Sequence, residues 1–336
     1  MMLGTPQTAL VTGATGAIGP CVVQTLHAAG YGVRVLARSV PPPGLFPRGV
    51  EVCRGDITDL SAVQAAIQGT VSVIHLAALL HVVNPPPALG ARYEQVNVGG
   101  TAAVVQAAVQ AGSRRLVFCS TMAVYGPAAG QVVTEDSAPR PDTFYAHTKL
   151  AAEQIVLAAK RSDGQPLGTV LRLGAVYGAR VKGNYRRLVR SLAHHRFVAI
   201  GHGQNRRTLI YEQDAARAAV LAAQHPLASG QVYNVSDGQC HTLNEIIAAI
   251  CAALGRTPPR LSLPVGLVRC AAGLVEETAR LMRCTAPITR ATVDKYTEDM
   301  AISSQRIQVQ LGFVPRFDLA TGWRETILAM RQRGEL

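Results

Sequence analysis

The chain has 336 residues, 48% of them hydrophobic and 16% charged, and a formal net charge of +12. That length accommodates about two domains with a sizeable core, and so low a charged fraction excludes a disordered chain. No apolar run reaches the roughly 18–20 residues of a membrane helix, no charged leader precedes the first apolar stretch, and the seven cysteines contain no CxxC pair, which argues against zinc frameworks and disulfide scaffolds. Cysteines so spaced read as buried thiols of a reducing compartment, so a cytoplasmic protein with no membrane partner is expected.

In chain order, short apolar runs alternate with helical patterns. Strands are predicted at Thr8–Thr12, Val33–Ala37, Val50–Arg54, Val71–Leu76, Arg115–Ser120 and Thr169–Leu173. Between them helices are predicted at Ile18–Ala29, Ser61–Gln68, Tyr93–Ala111 and Tyr145–Ala159, while the proline runs 41–43 and 85–87 must be loops. This alternation predicts a Rossmann-type α/β fold, a doubly wound parallel sheet covered on both faces. After residue 175 the alternation weakens, and only Gln231–Val235 reads as a further strand. The expected division is a larger α/β domain over 1–174 with a return segment 206–236, and a smaller, mostly helical domain over 175–205 and 237–336.

The first strand runs into Thr12-Gly13-Ala14-Thr15-Gly16-Ala17-Ile18-Gly19 and then a helix. Glycines so spaced permit a tight turn, close backbone approach to a pyrophosphate and close helix–strand packing, and the helix N-terminus supplies amide donors for the anion. About 20 residues past the last glycine, an acid would bind a ribose 2′-hydroxyl and an arginine a 2′-phosphate; Arg38, followed by Ser39, favours NADP. Asp56, in Gly55-Asp56-Ile57, follows the third strand where an adenine would lie.

Tyr145 and Lys149 stand at i and i+4 on one helix face. A neighbouring ammonium favours the phenolate, so the tyrosine is expected to titrate nearer neutrality and to serve as general acid or base. Upstream, Phe118-Cys119-Ser120-Thr121-Met122-Ala123-Val124-Tyr125-Gly126 ends a strand with two hydroxyls, one of which can hydrogen-bond a reacting oxygen.

Taken together these segments resemble the extended short-chain dehydrogenase/reductases of the NAD-dependent epimerase/dehydratase family. The resemblance runs from Ala9 to about Gly322 and rests on Thr12-Gly13-xx-Gly16-xx-Gly19, Asp56, His75-Leu76-Ala77-Ala78, Asn97 with Gly100-Thr101, Ser120-Thr121-xx-Val124-Tyr125-Gly126, Tyr145-xxx-Lys149 with Glu153, and Arg172 with Val176-Tyr177-Gly178. It implies a catalytic set of Thr121, Tyr145 and Lys149, with Thr121 in place of a more usual serine and Lys149 also holding the nicotinamide ribose. It implies an NAD(P) site over Gly13, Thr15, Gly16, Ala17, Ile18, Gly19, Arg38, Asp56, Ile57, Leu76, Ala77, Ala78, Asn97, Tyr145 and Lys149; a tightly bound catalytic cofactor of an epimerase would be NAD. It also implies a homodimer through helices such as Gly100–Ala111 and Lys149–Ala159.

Between Arg172 and Arg217 ten Arg and Lys residues face only Glu212 and Asp214, a local charge of +8. Such a segment suggests an anionic partner, yet it matches no nucleic-acid-binding motif. Val176–Tyr185 and Gly201–Tyr211 resemble the bacterial nucleotide-sugar 4-epimerases and 4-ketosugar reductases of polysaccharide synthesis, which implies a nucleotide-diphosphate sugar held by Thr121, Asn184 and Arg207. In an epimerase, Tyr145 would take the 4-hydroxyl proton; in a reductase it would only return one. Ala175 departs from the asparagine of many such members. Asp214 is expected to fix a helix start or pair with an arginine, and His81, His147, His194, His195 and His202 have no metal-ligand spacing. A 3β-hydroxysteroid or dihydroflavonol-type ketoreductase is the alternative enzyme, and a cofactor-sensing protein without chemistry the remote one.

Overall fold

A computed structural model describes residues 7–80, 89–128, 130–282, 284, 286 and 288–336; His81 and the 85–87 proline run lie outside them. The strands are β1 (Thr8–Thr12), β2 (Gly32–Ala37), β3 (Glu51–Arg54), β4 (Ser72–His75), β5 (Arg115–Thr121), β6 (Val132–Val133), β7 (Gly168–Leu173), β8 (Ala175–Tyr177), β9 (Ala199–Ile200), β10 (Arg206–Arg207), β11 (Leu209–Tyr211), β12 (Val232–Val235), β13 (His241–Thr242), β14 (Ser262–Leu263) and β15 (Ala301–Ile302). Seven of them form one parallel sheet in the order β12-β7-β5-β4-β1-β2-β3. The order reverses between β1 and β4, and in an open α/β sheet the crevice beyond the carboxyl ends of two such strands is where ligands bind.

The helices are α1 (Gly19–Ala28), α2 (Leu60–Ile67), α3 (Leu89–Tyr93), α4 (Gly100–Gln110), α5 (Phe144–Ala158), α6 (Asn184–Ala193), α7 (Glu212–Gln224), α8 (Leu243–Leu254), α9 (Val265–Leu281), α10 (Arg290–Thr297), α11 (Gln305–Leu311) and α12 (Leu319–Gln332). On one sheet face Val22, Val23 and Leu26 of α1 pack with the alanines of α7 and with Ile307, Leu311 and Phe313. The other face is covered by α2, α4 and α5 through Val63, Ile67, Val104, Ala108, Ala152 and Val156. Both faces of β1, β4 and β7 are therefore covered, which is why nearly every residue of these strands is buried rather than every second one. A third core gathers Tyr177, Val189, Tyr211, Ile246, Ile250, Trp323 and Ile327, with Trp323 stacked on Tyr177 at 4.5 Å.

Three expectations need correction. The helix expected over Tyr93–Ala111 begins at Leu89 and is broken by a π-helical stretch, Glu94–Gly99, between α3 and α4. Such widened turns re-aim a side chain, and here the one fully inward residue of the stretch is Asn97. Beyond the main sheet the chain is not only helices and loops, because β11 pairs with β8, β14 with β9, β13 with β10 and β15 with β6. And only Cys119 and Cys251 are buried, whereas Cys240, Cys270 and Cys284 are exposed; Cys270 lies on α9, whose outward face also exposes Leu267, Leu274 and Leu281.

One buried ion pair ties α5 to the sheet. The Glu153 carboxylate, 1% exposed, receives the Arg172 guanidinium from β7 at 2.7 Å and the Ser120 hydroxyl from β5. Arg172 also lies over the Tyr125 ring at 4.7 Å, and the Tyr125 hydroxyl donates to Asn234 Oδ1 on β12 at 2.8 Å. Breaking such a pair leaves an uncompensated buried charge, at a cost of about 3–5 kcal/mol, whereas replacing both partners by apolar groups is far milder. Urea denaturation is therefore expected to show Arg172→Met destabilised by about that amount and the double variant Glu153→Leu/Arg172→Met recovering most of the loss; equal losses in the two would mean the charges do not act as a pair.

Candidate active site

The glycine loop has no room for side chains where it crosses the sheet crevice. Gly13 has φ +69°, and a Cβ there would lie 2.6 Å from the Ala77 backbone nitrogen, so β1 and the segment after β4 touch backbone to backbone. The Gly16 amide donates to the Gly13 carbonyl at 2.9 Å, and a Cβ on Gly19 would overlap the Ala14 carbonyl. Thr15 and Gly16 are exposed, Ala17 half-buried and Ile18 buried at the start of α1, which Pro20 opens. The result is a cradle of backbone at a helix N-terminus, suited to a pyrophosphate.

Around it stand the other residues singled out by sequence. Leu76, Ala77 and Ala78 are half-buried along the crevice. Arg38 is exposed at the end of β2. Burial pulls the Asp56 carboxyl upward, but hydrogen bonds from the Thr58 amide and hydroxyl, then the charges of Arg38 and Arg92, outweigh it and hold it below the ordinary range. The Ile57 side chain instead points into the core, where it fills the space beside Gly100. Asn97 holds the crevice wall: its Oδ1 accepts from the Leu79 amide at 2.7 Å, and its Nδ2 donates to the Leu79 carbonyl at 3.2 Å and to Thr148 Oγ1 at 3.1 Å. Sequence reasoning missed Arg54, which stands opposite Ala37 in the β2–β3 register and, with Ser39, lines a cavity of about 390 Å³.

Helix α5 starts at a Thr143 cap and presents Tyr145 and Lys149 toward β5. Lys149 is buried; its Nζ donates to the Cys119 carbonyl at 2.7 Å and sits 3.8 Å from the Phe118 ring centroid. Burial lowers the ammonium from 10.5 to about 8, against the opposing pull of Cys119 and Glu153. Tyr145 packs edge-on to Tyr93 at 6.4 Å. Here the sequence expectation fails: the phenol is raised well above 10, first by burial and then by Tyr93 and Cys119. The ammonium is directed at a main-chain carbonyl and an aromatic face, so it does not offset that burial. The two strand-end hydroxyls also separate. Ser120 is buried and donates to Glu153, while Thr121 is half-buried and its Oγ1 accepts from the Ala123 amide at 3.2 Å, leaving its own proton to donate.

On the substrate side, Asn184 is exposed as the first residue of α6, behind Gly183 at φ +116°. Arg207 on β10 donates from one terminal nitrogen to the carbonyls of Lys295 and Tyr296, at 2.7 and 3.1 Å. Four of the ten cations of the basic segment are paired with carboxylates: Arg172 with Glu153, Arg186 with Glu335, Arg206 with Asp299 and Arg217 with Asp214. Asp214 also accepts from the amides of Arg316 and Phe317, which makes it a structural tie. Among the described residues no His, Cys, Asp and Glu cluster could hold a metal, and no helix is long and apolar enough to cross a membrane.

Residues 9–236 match the NAD dependent epimerase/dehydratase family. The chain belongs to that family. It is 31% identical to a 3 beta-hydroxysteroid dehydrogenase/Delta 5→4-isomerase of Mycobacterium tuberculosis, over 77% of this chain and 73% of that one. It is 27% identical to a UDP-glucose 4-epimerase of Vibrio cholerae, over 97% and 96% of the two chains. Among solved structures, MoeE5 in complex with UDP-glucose and NAD is 28% identical, with a TM-score of 0.76 and 97% and 99% of the two chains covered. The NAD(P) cofactor of such a family fits this cleft, since a backbone-only cradle at Gly13 and Gly19 is what close approach of a pyrophosphate requires.

The buried ammonium has a consequence for stability. Unfolded Lys149 would bind its proton up to about pH 10.5 but the folded residue only to about pH 8, so between these values the unfolded state carries more protons and stability rises with pH. Wild type should therefore be less stable than Lys149→Met at neutral pH, with the gap narrowing from pH 8 upward in thermal melts. A gap independent of pH would show that Lys149 is not buried as an ammonium.

Proposed function

We propose that the chain is an NAD(P)-dependent enzyme that oxidises or reduces a carbinol carbon, and that its substrate is a nucleotide-diphosphate sugar, turned over by 4-epimerisation or 4-ketoreduction. What supports the chemistry is the set of groups about the end of β5: a phenol raised above its ordinary range that feels Cys119, a buried ammonium on the Cys119 carbonyl, and the Thr121 hydroxyl two residues on with a proton to give. Bound NAD(P) supplies and accepts the hydride. Residues 13–19 would hold its pyrophosphate, Arg38 and Asp56 its adenosine end, Leu76–Ala78 and Asn97 its middle, and Tyr145 with Lys149 its nicotinamide ribose side. Arg38 and Arg54, two cations at one sheet edge, favour a 2′-phosphate and hence NADP.

Within that frame each side chain has a separate task. In the reductive step Tyr145, raised above the ordinary phenol range, gives its proton to the substrate oxygen as negative charge develops there, and in the oxidative step of an epimerisation it takes the hydroxyl proton as the phenolate. Thr121 donates a hydrogen bond to the same oxygen. Lys149 keeps a positive charge next to that proton transfer. Asn184 and Arg207 would take the diphosphate, arginine being suited to bidentate contacts. The nucleotide-sugar reading is supported by near full-length likeness to MoeE5, which binds UDP-glucose, and to the Vibrio epimerase. We assign residues 1–174 with 206–236 to the cofactor unit and 175–205 with 237–336 to the substrate unit, in a cytoplasmic homodimer.

One observation favours a second substrate class. Four arginines of the basic segment are already paired with carboxylates, which weakens the case for an anionic ligand, and the Mycobacterium relative acts on a 3β-hydroxysteroid. Thermal shift separates the two, because a ligand that binds only the folded chain raises its melting temperature. UDP or dTDP is expected to raise it and a 3β-hydroxysteroid is not; the reverse result transfers the assignment to the ketoreductases. With whichever substrate is turned over, Tyr145→Phe should abolish turnover while retaining nucleotide binding, and activity above about a tenth of wild type would remove Tyr145 from its role. Arg38→Asp should weaken NADP about tenfold or more with little effect on NAD in paired titrations. Equal losses for the two would show that Arg38 does not read the 2′-phosphate.

A further inference from the structure

His75 is the last residue of β4, fully buried, and both of its ring nitrogens are hydrogen-bonded. Nδ1 lies 2.6 Å from Thr12 Oγ1 and Nε2 lies 3.0 Å from Thr101 Oγ1. The directions of these bonds can be read from their neighbours. Thr101 has a single hydroxyl proton, and it goes to the Asn97 carbonyl at 2.6 Å. The Nε2 contact therefore requires Nε2–H to donate to Thr101. In a neutral ring Nδ1 is then bare and accepts the Thr12 hydroxyl proton, while Thr12 Oγ1 in turn accepts from the Ala77 amide at 3.4 Å. Burial, with the nearby Lys149 charge, holds the imidazolium form down to about pH 3, which agrees with the neutral ring that the geometry demands.

The chain continues beyond Asn97. Its Nδ2 donates to Thr148 Oγ1, and Thr148 donates to the carbonyl of Tyr145 at 3.0 Å. A single line of hydrogen bonds thus runs Ala77, Thr12, His75, Thr101, Asn97, Thr148, Tyr145. It joins the residue before Gly13 to the backbone of the residue assigned the proton transfer, through the π-helical stretch. We infer that His75 is a positioning residue, a permanently neutral, Nε2-protonated link that sets Tyr145 against the glycine loop through Thr101 and Asn97. The inference rests on the assignment of Tyr145 as acid/base, but its first test does not.

Nitrogen-15 NMR of the full chain labelled at histidine reads protonation of each ring nitrogen directly. His75 is expected to show a protonated Nε2 and a bare Nδ1, unchanged between about pH 5 and 8, far above its lowered titration range. A protonated Nδ1, or a ring that titrates in that interval, overturns the inference. The second test is Thr101→Val, which keeps the side-chain shape, removes the acceptor of Nε2–H and frees the Asn97 carbonyl. NADPH binding, followed by its fluorescence, should stay within about twofold of wild type while kcat falls about tenfold. A fall in binding equal to the fall in kcat, or no change in either, contradicts positioning. If Tyr145→Phe is active while the His75 tautomer is as expected, the acid/base reading fails and the link itself stands.

Discussion

The buried pair of Glu153 and Arg172 is the constraint on which the site depends. Helix α5 carries Tyr145 and Lys149, and nothing in its sequence alone decides how deeply it sits on the sheet. The carboxylate of Glu153, one turn beyond Lys149, is fixed to β7 by Arg172 and to β5 by the Ser120 hydroxyl. Lys149 then meets the Cys119 carbonyl one residue earlier on β5. Two successive turns of the helix are thereby pinned to two adjacent strands, and Tyr145 stands one turn earlier on the same helix, edge-on to Tyr93. Buried ionic groups are costly, so their presence under an otherwise apolar helix is explained by where they hold it rather than by stability.

The same network shows why only part of the site was legible in the sequence. The glycine loop, Tyr145-xxx-Lys149 and the strand–helix alternation are local patterns, and spacing alone placed them. Which of Ser120 and Thr121 is free to act depends on Glu153, 33 residues away, so it could not be read from the strand. The direction of the Tyr145 titration is hidden for a similar reason: helical spacing brings an ammonium near a phenol, but only the fold shows that Cys119 and Phe118 engage that ammonium. Asn97 and His75 were visible as residues of a pattern, whereas their partners Thr148, Thr12 and Thr101 lie on other elements.

Charge was the least faithful guide. A local +8 suggested a cluster waiting for an anion, yet Glu153, Asp299 and Glu335 all lie outside the counted segment and pair with arginines inside it. Arg206, paired with Asp299, ties β10 to the approach to β15, and Arg207 beside it caps the end of α10 through two carbonyls. Six of the ten cations keep no carboxylate partner among the described ion pairs, and of these Arg207 is already engaged by two main-chain carbonyls.

The proposed reaction is hydride transfer at a carbinol carbon with Tyr145 moving the proton. Its most direct test is the kinetic isotope effect on kcat/KM with substrate deuterated at that carbon, run on UDP-glucose and on a 3β-hydroxysteroid. A primary effect is expected with the substrate that is turned over, with no wash-out of the deuterium into water. Turnover without an isotope effect, with the label lost to solvent, would contradict it, because the carbon would then be giving up a proton rather than a hydride.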